Sequence, residues 1–338
     1  MDYKKILGLL VVGIVILVGM VMYIGPSKII SSIKTANIYF VTLAVIIQFI
    51  ILILWNKRWS MICNSLDIPH SQLSLFAMTI VGLAINDLTP SGRSGGEPVR
   101  AYLLTKSSSV DFKKTFATVM GDKLFDMFPF MVLAIFAVAY LMLYLHLNSM
   151  LFSVLLVALV LFILILLFVI YISINEEFGL KTVKWVFRQV RRFTSKDLKK
   201  YEKKATSSLI GFQNSLRYIM QDRKLLLEAT AISFFVWFLE LLRVYVVFLA
   251  FGQTVSLGMI ASVFLVSSLI GVIPALPGGL GSIDGVMILL YSMAGVPASI
   301  STAATLVERM ISLWMVIIMG VILLPFYGKD ALEQVDMD

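Results

Sequence analysis

Along this chain, long apolar runs are separated by short polar breaks. Ile6–Ile24, Ile38–Trp55, Met127–Leu145, Leu151–Ile174, Leu225–Ala250 and Ile300–Leu324 are each long and apolar enough to cross a bilayer as a helix. Two further runs, Leu73–Leu88 and Val255–Ile273, are interrupted in the same way. The first leads into Asn86–Lys106, NDLTPSGRSGGEPVRAYLLTK, and the second into Pro274–Gly281 and a short apolar piece ending at Ala294. The pattern predicts an all-α polytopic membrane protein of about six full transmembrane helices plus two broken or re-entrant helical hairpins. Composition agrees, with 59% hydrophobic residues, 14% charged residues and a mean hydropathy of +0.95. Soluble domains carry about a quarter charged residues.

Charge gives the orientation. Residues 175–224 hold 13 Lys/Arg against 5 Asp/Glu, which accounts for the whole net charge of +8. Positive residues gather in cytoplasmic loops, so this segment and both termini are expected inside a cell membrane. Lys4 and Lys5 before Ile6–Ile24, with Pro26 after it and no small-residue cleavage site, read as an uncleaved anchor. Asn56-Lys57-Arg58-Trp59 reads as an interfacial anchor closing the second span. Within the basic segment, Val183, Val186, Phe187, Val190 and Phe193 recur at helical spacing, as do Ala205, Leu209, Phe212, Leu216 and Ile219. Basic amphipathic helices of this kind lie on an anionic membrane surface or pack on the ends of a bundle. The surface is the reading adopted.

The two interrupted segments carry related chemistry. A shift of 187 positions lays Pro90 on Pro277, Gly92 on Gly279 and Glu97 on Asp284, and one residue of slippage brings Asp122-Lys123 onto Glu308-Arg309. Working outward from the basic segment, the first break opens from the inside and the second from the outside. One integral membrane domain, 1–338, is therefore expected to contain inverted repeats at about 38–146 and 225–325. Paired Gly/Pro-interrupted segments in inverted halves point to a transporter's midplane site. Gly95, Gly96, Gly278 and Gly281 allow close approach and positive φ there. Ionisable residues at membrane depth are functional candidates. Arg93, Glu97, Arg100, Asp284, Glu308 and Arg309 are the candidate binding residues, supported by Asn86, Lys123 and the glycines and prolines of both turns. Glu240 and Arg243, three apart on one helical face, read as a pair that locks the bundle.

At these residues the chain resembles the lysylphosphatidylglycerol synthase transmembrane-region family of flippase-like membrane proteins. The resemblance rests on Thr89–Leu104 (TPSGRSGGEPVRAYLL), Leu276–Gly281 (LPGGLG) and the doublet Glu308-Arg309. It implies an integral lipid flippase, which in bacterial members moves an aminoacylated phosphatidylglycerol between leaflets. Asp338 ends the sequence without a soluble domain that could transfer an aminoacyl group, so lipid synthesis is not expected. The family often pairs a Glu with a neighbouring Arg in the second motif, whereas this chain has Asp284 alone.

Two functions of other kinds stay open. A membrane scaffold for a lipid- or glycan-modifying enzyme is compatible with every feature above. An intramembrane serine protease would use Ser94 in Gly92-Arg93-Ser94-Gly95, which needs a histidine within reach. His70 and His146 are both expected at the membrane edges. The single cysteine, Cys63, excludes an intramolecular disulfide and a multi-cysteine metal site. No cofactor, metal, catalytic residue or nucleic-acid partner is expected. The expected partners are a membrane phospholipid or lipid-linked substrate and the anionic membrane surface.

Overall fold

The computed structural model describes residues 18, 19, 22, 25–89, 95–145, 149–191, 199–271 and 276–327. The described residues are helical apart from turns and short connections, and they include no strand. The protein is an all-α polytopic membrane protein. A helix satisfies its own backbone in hydrocarbon, which is why apolar sequence of this length adopts it.

Short polar residues set the boundaries. A brief helix, α1 (Pro26–Lys34), precedes α2 (Ile38–Ser65), whose first turn is capped by Asn37. Ser71 caps α3 (Gln72–Leu88), and α4 (Gly96–Ser108) follows the first Gly/Pro segment. Asp111 caps α5 (Phe112–Tyr144), and α6 is Ser149–Ile174. Asn175 caps α7 (Glu176–Val190), α8 is Lys199–Gln221, and Asp222 caps α9 (Arg223–Ala250). In each capped case a side-chain oxygen accepts from a backbone N–H of the first turn, satisfying a donor the helix cannot. After α9 come α10 (Leu257–Gly271), a 3₁₀ turn at Pro277–Gly279, and α11 (Ser282–Met293). Next is α12 (Ala298–Arg309), followed by a π-helical turn at Met310–Trp314 and α13 (Met315–Tyr327).

Among the described residues, five helical stretches are long and apolar enough to cross a membrane: Ile38–Ser65, Phe112–Tyr144, Phe152–Ile174, Arg223–Ala250 and Ala298–Phe326. The expected span Ile6–Ile24 lies almost wholly outside the described residues. Both expected hairpins are present as pairs of short helices, α3 with α4 and α10 with α11. One boundary differs from the sequence reading. Phe112–Leu124, with its charges, fuses with Met127–Leu145 into the 33-residue α5. Asp122 and Asp126 do not end the helix because both are ion-paired.

The order long, short, short, long occurs twice, in α2–α5 and in α9–α13, with element starts offset by 185 to 186 residues. The opening helices α2 and α9 pack side by side and run antiparallel. Asn37 N donates to Ala250 O (2.8 Å) at one end, and Arg58 Nη1 donates to Ser233 Oγ (2.8 Å) near the other. Packing is reciprocal between the units. The short α3 lies along α13 of the second unit, and the short α10 lies along α5 of the first. Gly320 brings α13 against α3: a Cβ there would sit 2.2 Å from Ala84 Cβ.

The α2 interfacial anchor is corrected. Helix α2 continues to Ser65, and while Lys57 stays exposed, Arg58 and Trp59 are buried. Trp59 Nε1 donates to Thr118 Oγ1 at 3.0 Å. In the basic segment, Phe212, Leu216 and Ile219 of α8 form the buried stripe the spacing implied, and they join Ile62, Val119 and Leu225 in one apolar cluster. This face meets the bundle rather than a lipid surface. The α7 stripe is only half covered, since Val186 and Val190 remain exposed beside Trp185.

Candidate functional site: an ion-paired cavity between the two units

Two turns bring the broken helices together. Gly96 N donates to Asn86 Oδ1 (2.6 Å), so the side chain ending α3 caps the start of α4. The helices touch backbone to backbone, since a Cβ on Gly96 would lie 1.9 Å from Gly82 O. In the second turn Gly278, Gly279 and Gly281 all have positive φ, a conformation glycine adopts without strain. A Cβ on Gly278 would lie 3.1 Å from Asp87 O, so the second turn closes on the end of α3. Asp284 Oδ2 accepts from Gly281 N (2.7 Å) and caps α11.

A cavity of about 230 Å³ lies among these elements, lined from both units. Its lining includes the apolar side chains of Phe130, Phe162, Trp237, Phe264 and Met287. It also includes the charged side chains of Glu97, Arg100, Lys123, Glu240, Arg243, Glu308 and Arg309, together with Asn86. Asp284 is buried and does not line the cavity; Arg309 Nε reaches its Oδ1 at 2.9 Å. The second motif is therefore charge-paired, by an arginine from α12 instead of a sequence neighbour. Arg309 Nη2 also donates to Gly278 O at 2.5 Å, tying α12 to the turn.

The ionic contacts form two matching sets. In the first unit Arg58 Nε meets Asp122 Oδ1 (2.7 Å), Arg58 Nη1 meets Asp126 Oδ1 (3.2 Å), and Lys123 Nζ meets Glu97 Oε1 (2.5 Å). In the second, Arg243 Nη2 meets Glu308 Oε1 (2.9 Å) and Glu240 Oε2 (2.5 Å), and Arg309 meets Asp284. A shift of 185 to 187 positions carries Arg58 onto Arg243, Asp122 onto Glu308, Lys123 onto Arg309 and Glu97 onto Asp284. Removing such charges from water costs several kcal/mol per ion, so shared partners are what makes the arrangement tenable.

Arg100 belongs to the first set. Its Nη2 meets Asp122 Oδ2 at 3.0 Å, and its guanidinium carbon sits 4.0 Å from the centre of the Trp59 ring. Glu97 does not meet Arg100: among the described residues it is held by Lys123 and by Asn86 Nδ2 (3.3 Å). Glu240 and Arg243 do pair, and Glu308 joins them. Arg93, Pro90, Gly92 and Ser94 lie outside the described residues, as does His146. His70 accepts no substrate role by position. Its Nδ1–H donates to Ile68 O, leaving Nε2 to accept from Ser60 Oγ, both at 2.9 Å, and it does not line the cavity.

Gln48, Arg58 and Asp126 also line the cavity and were not singled out from the sequence. Arg58 was masked by its neighbours, because Lys57 and two tryptophans give it the look of an interfacial residue. Its position 185 residues before Arg243, matching the 186 between Asp122 and Glu308, was the signal available. Among the described residues that line the cavity, the buried donors Trp55 Nε1, Arg100 Nε and Arg243 Nε have neither a hydrogen-bond nor an ion-pair partner, and the same holds for the acceptor Glu97 Oε2. A group that supplies acceptors to the arginines and a donor to the carboxylate would satisfy three of these four.

Comparison with known proteins agrees with this architecture. Residues 6–320 match the family model described as the lysylphosphatidylglycerol synthase TM region. A UPF0104 membrane protein of Methanothermobacter thermautotrophicus is 41% identical over 326 residues, covering 96% of each chain. UPF0104 membrane proteins of Methanocaldococcus jannaschii and Pyrococcus horikoshii are 28% and 27% identical, with 95% of this chain covered in both. With its paired broken helices and matched ionic sets, this multi-pass membrane protein belongs to the lysylphosphatidylglycerol synthase transmembrane-region family.

Proposed function

We propose that the protein moves a phospholipid or a lipid-linked anionic headgroup between the leaflets of a membrane, with the cavity between the two units as the headgroup site. The observation that carries this reading is the mixed lining of that cavity. Buried arginines with open donors share it with aromatic and aliphatic side chains, which suits a headgroup attached to a hydrocarbon tail. Arg is suited to phosphate because its planar fork donates two parallel hydrogen bonds. Arg100 and Arg243 are the residues that take the phosphate. Asp122, Glu240 and Glu308 hold the fork of each arginine while the site is empty and release part of it when a phosphate enters. Inverted units with a site at their junction supply the remaining requirement, since rocking one unit against the other exposes the cavity to one leaflet at a time. The chain acts as a carrier of lipid and not as an enzyme that modifies it.

Reconstitution into proteoliposomes tests the reading. Purified protein should accelerate exchange of fluorescent phospholipids between leaflets, followed by quenching with a membrane-impermeant reductant. Exchange no faster than in protein-free vesicles, over a panel of anionic and zwitterionic headgroups, would leave the scaffold reading in its place.

A further inference from the structure

The two ionic sets match at four positions but, among the described residues, do not balance alike. In the first unit three cations, Arg58, Arg100 and Lys123, meet three carboxylates, Asp122, Asp126 and Glu97. In the second, two cations, Arg243 and Arg309, meet three carboxylates, Glu240, Glu308 and Asp284. The missing cation is traceable. Position 287, which matches Arg100 at the 187-residue offset that carries Glu97 onto Asp284, is Met287, and like Arg100 it lines the cavity. The added acid is Glu240, which matches Trp55.

We infer that Glu240 binds a proton, and that loading and unloading this proton is coupled to the movement of the headgroup proposed above. Two carboxylates sharing one buried cation cannot both stay charged cheaply, and a proton on one of them is the smallest neutralising ligand. Of the two acids on Arg243, Glu308 has a side chain 2% exposed and Glu240 one 10% exposed. Both line the cavity, but Glu240 is the one with more access to exchange a proton.

Among the described residues Arg243 is the one cation ion-paired with Glu240. Asp126 on α5 and Glu308 on α12 line the same cavity, as do Arg100, Lys123 and Arg309, which meet Asp122, Glu97 and Asp284. Arg58 on α2 is already held by two carboxylates. The neighbouring α10 contains no titratable side chain. Arg243 also reaches Gln48 across the α2–α9 contact, and its Nε has no partner. When Glu240 takes the proton, its hold on Arg243 weakens, and the guanidinium can turn its donors to a phosphate. When a phosphate leaves, Glu240 gives up the proton and recaptures the arginine. The proton therefore acts on the residue that ties the two units together.

Infrared difference spectroscopy on the purified, delipidated protein tests the proton directly. A carbonyl band of a protonated carboxylic acid should be present near neutral pH and be lost in Glu240→Gln. Met287→Arg, which restores the cation of the first unit while leaving Glu240 in place, should lose the same band. Both variants are checked for folding by thermal melting. In proteoliposomes, wild-type lipid exchange should respond to an imposed pH gradient. Absence of the band in wild type, or its persistence in folded Glu240→Gln, overturns the assignment whether or not any lipid moves. Exchange of lipid that is indifferent to pH removes the coupling while leaving the lipid carrier standing.

Discussion

Arg58 and Arg243 hold equivalent places on antiparallel helices, and each reaches across to the other's helix. Arg58 donates to Ser233 on α9 (2.8 Å), and Arg243 donates to Gln48 on α2. Ser233 and Gln48 are themselves 185 residues apart, as the two arginines are. Each guanidinium also takes a carboxylate from the closing helix of its own unit, Asp122 or Glu308. The contact between the opening helices is thus a pair of crossed, charge-assisted links, and sliding α2 along α9 breaks both together.

Removing Arg58 should be severely destabilising. Arg58→Ala leaves Asp122 with one cation and Asp126 with none among its described partners, in a site where Arg58 is 2% exposed. Breaking a buried pair costs about 3–5 kcal/mol. Thermal melting in detergent should show a large fall, and Arg58→Ala combined with Asp122→Ala should lose less than the sum of the two single changes. A loss below about 1 kcal/mol, typical of surface pairs, would mean that Arg58 is hydrated.

Arg100 separates binding from structure. Arg100→Lys keeps the charge but removes the open Nε donor and the flat face over Trp59. Lipid exchange per folded molecule should fall in Arg100→Lys and fall further in Arg100→Ala. Should Arg100→Ala move lipid at the wild-type rate per folded molecule, the arginine does not take the phosphate.

Close backbone packing makes one glycine indispensable and another replaceable. Gly96→Ala places a methyl group 1.9 Å from Gly82 O, where only backbone can give way. Gly121→Ala meets nothing nearer than Ile219 Cδ1 at 3.5 Å, an ordinary contact. Size-exclusion profiles should show a monodisperse Gly121→Ala protein and little or no folded Gly96→Ala. Equal behaviour of the two variants would show that α3 and α4 do not approach as closely as described.

On α7 the ion pair of Glu177 with Lys181 (2.7 Å) is exposed and makes a small, pH-dependent contribution. The hydrogen bond from Lys181, and then its charge, hold the Glu177 carboxyl below the usual range. The same partner raises Lys181. The contribution of Glu177 is present above its unfolded value and lost as pH falls through the lowered one; that of Lys181 is lost as pH rises through the raised one. Carbon-detected NMR of labelled glutamate should show the Glu177 titration moving upward in Lys181→Gln. An unchanged midpoint would mean that the pair is not formed in solution.

The surplus of eight positive charges in residues 175–224 predicts that α7 and α8 lie on the cytoplasmic side. With Cys63 replaced, a cysteine introduced at the exposed Lys184 should resist a membrane-impermeant maleimide added to intact cells and react once the cells are opened. Labelling from outside would invert the topology and with it the side from which each Gly/Pro break opens.

Hydrophobic runs determined the spans by themselves, because a helix that crosses hydrocarbon needs only length and apolar surface. The caps Asn37, Ser71, Asp111, Asn175 and Asp222 are equally local, since a cap acts on its own first turn, but they went unread in the sequence and the structure supplied them. The two glycine-rich breaks and their acids were legible too, because few sequences place glycine, proline and charge inside apolar segments. Partner choice was not legible. Glu97 is held by Lys123 instead of Arg100, and Asp284 by Arg309 from the next helix, because which charges meet depends on how α4 and α11 lean against the closing helices. Arg58 was misplaced for a related reason. Beside Lys57 and Trp59 its local pattern is that of an interface, and only the helical phase that turns Lys57 outward and Arg58 toward α5 and α9 puts it in the interior. Local chemistry decides where a membrane helix begins and how long it runs. Whether a charge on it faces lipid, water or another charge is decided by the rotation of that helix against its neighbours, which only the packed structure specifies.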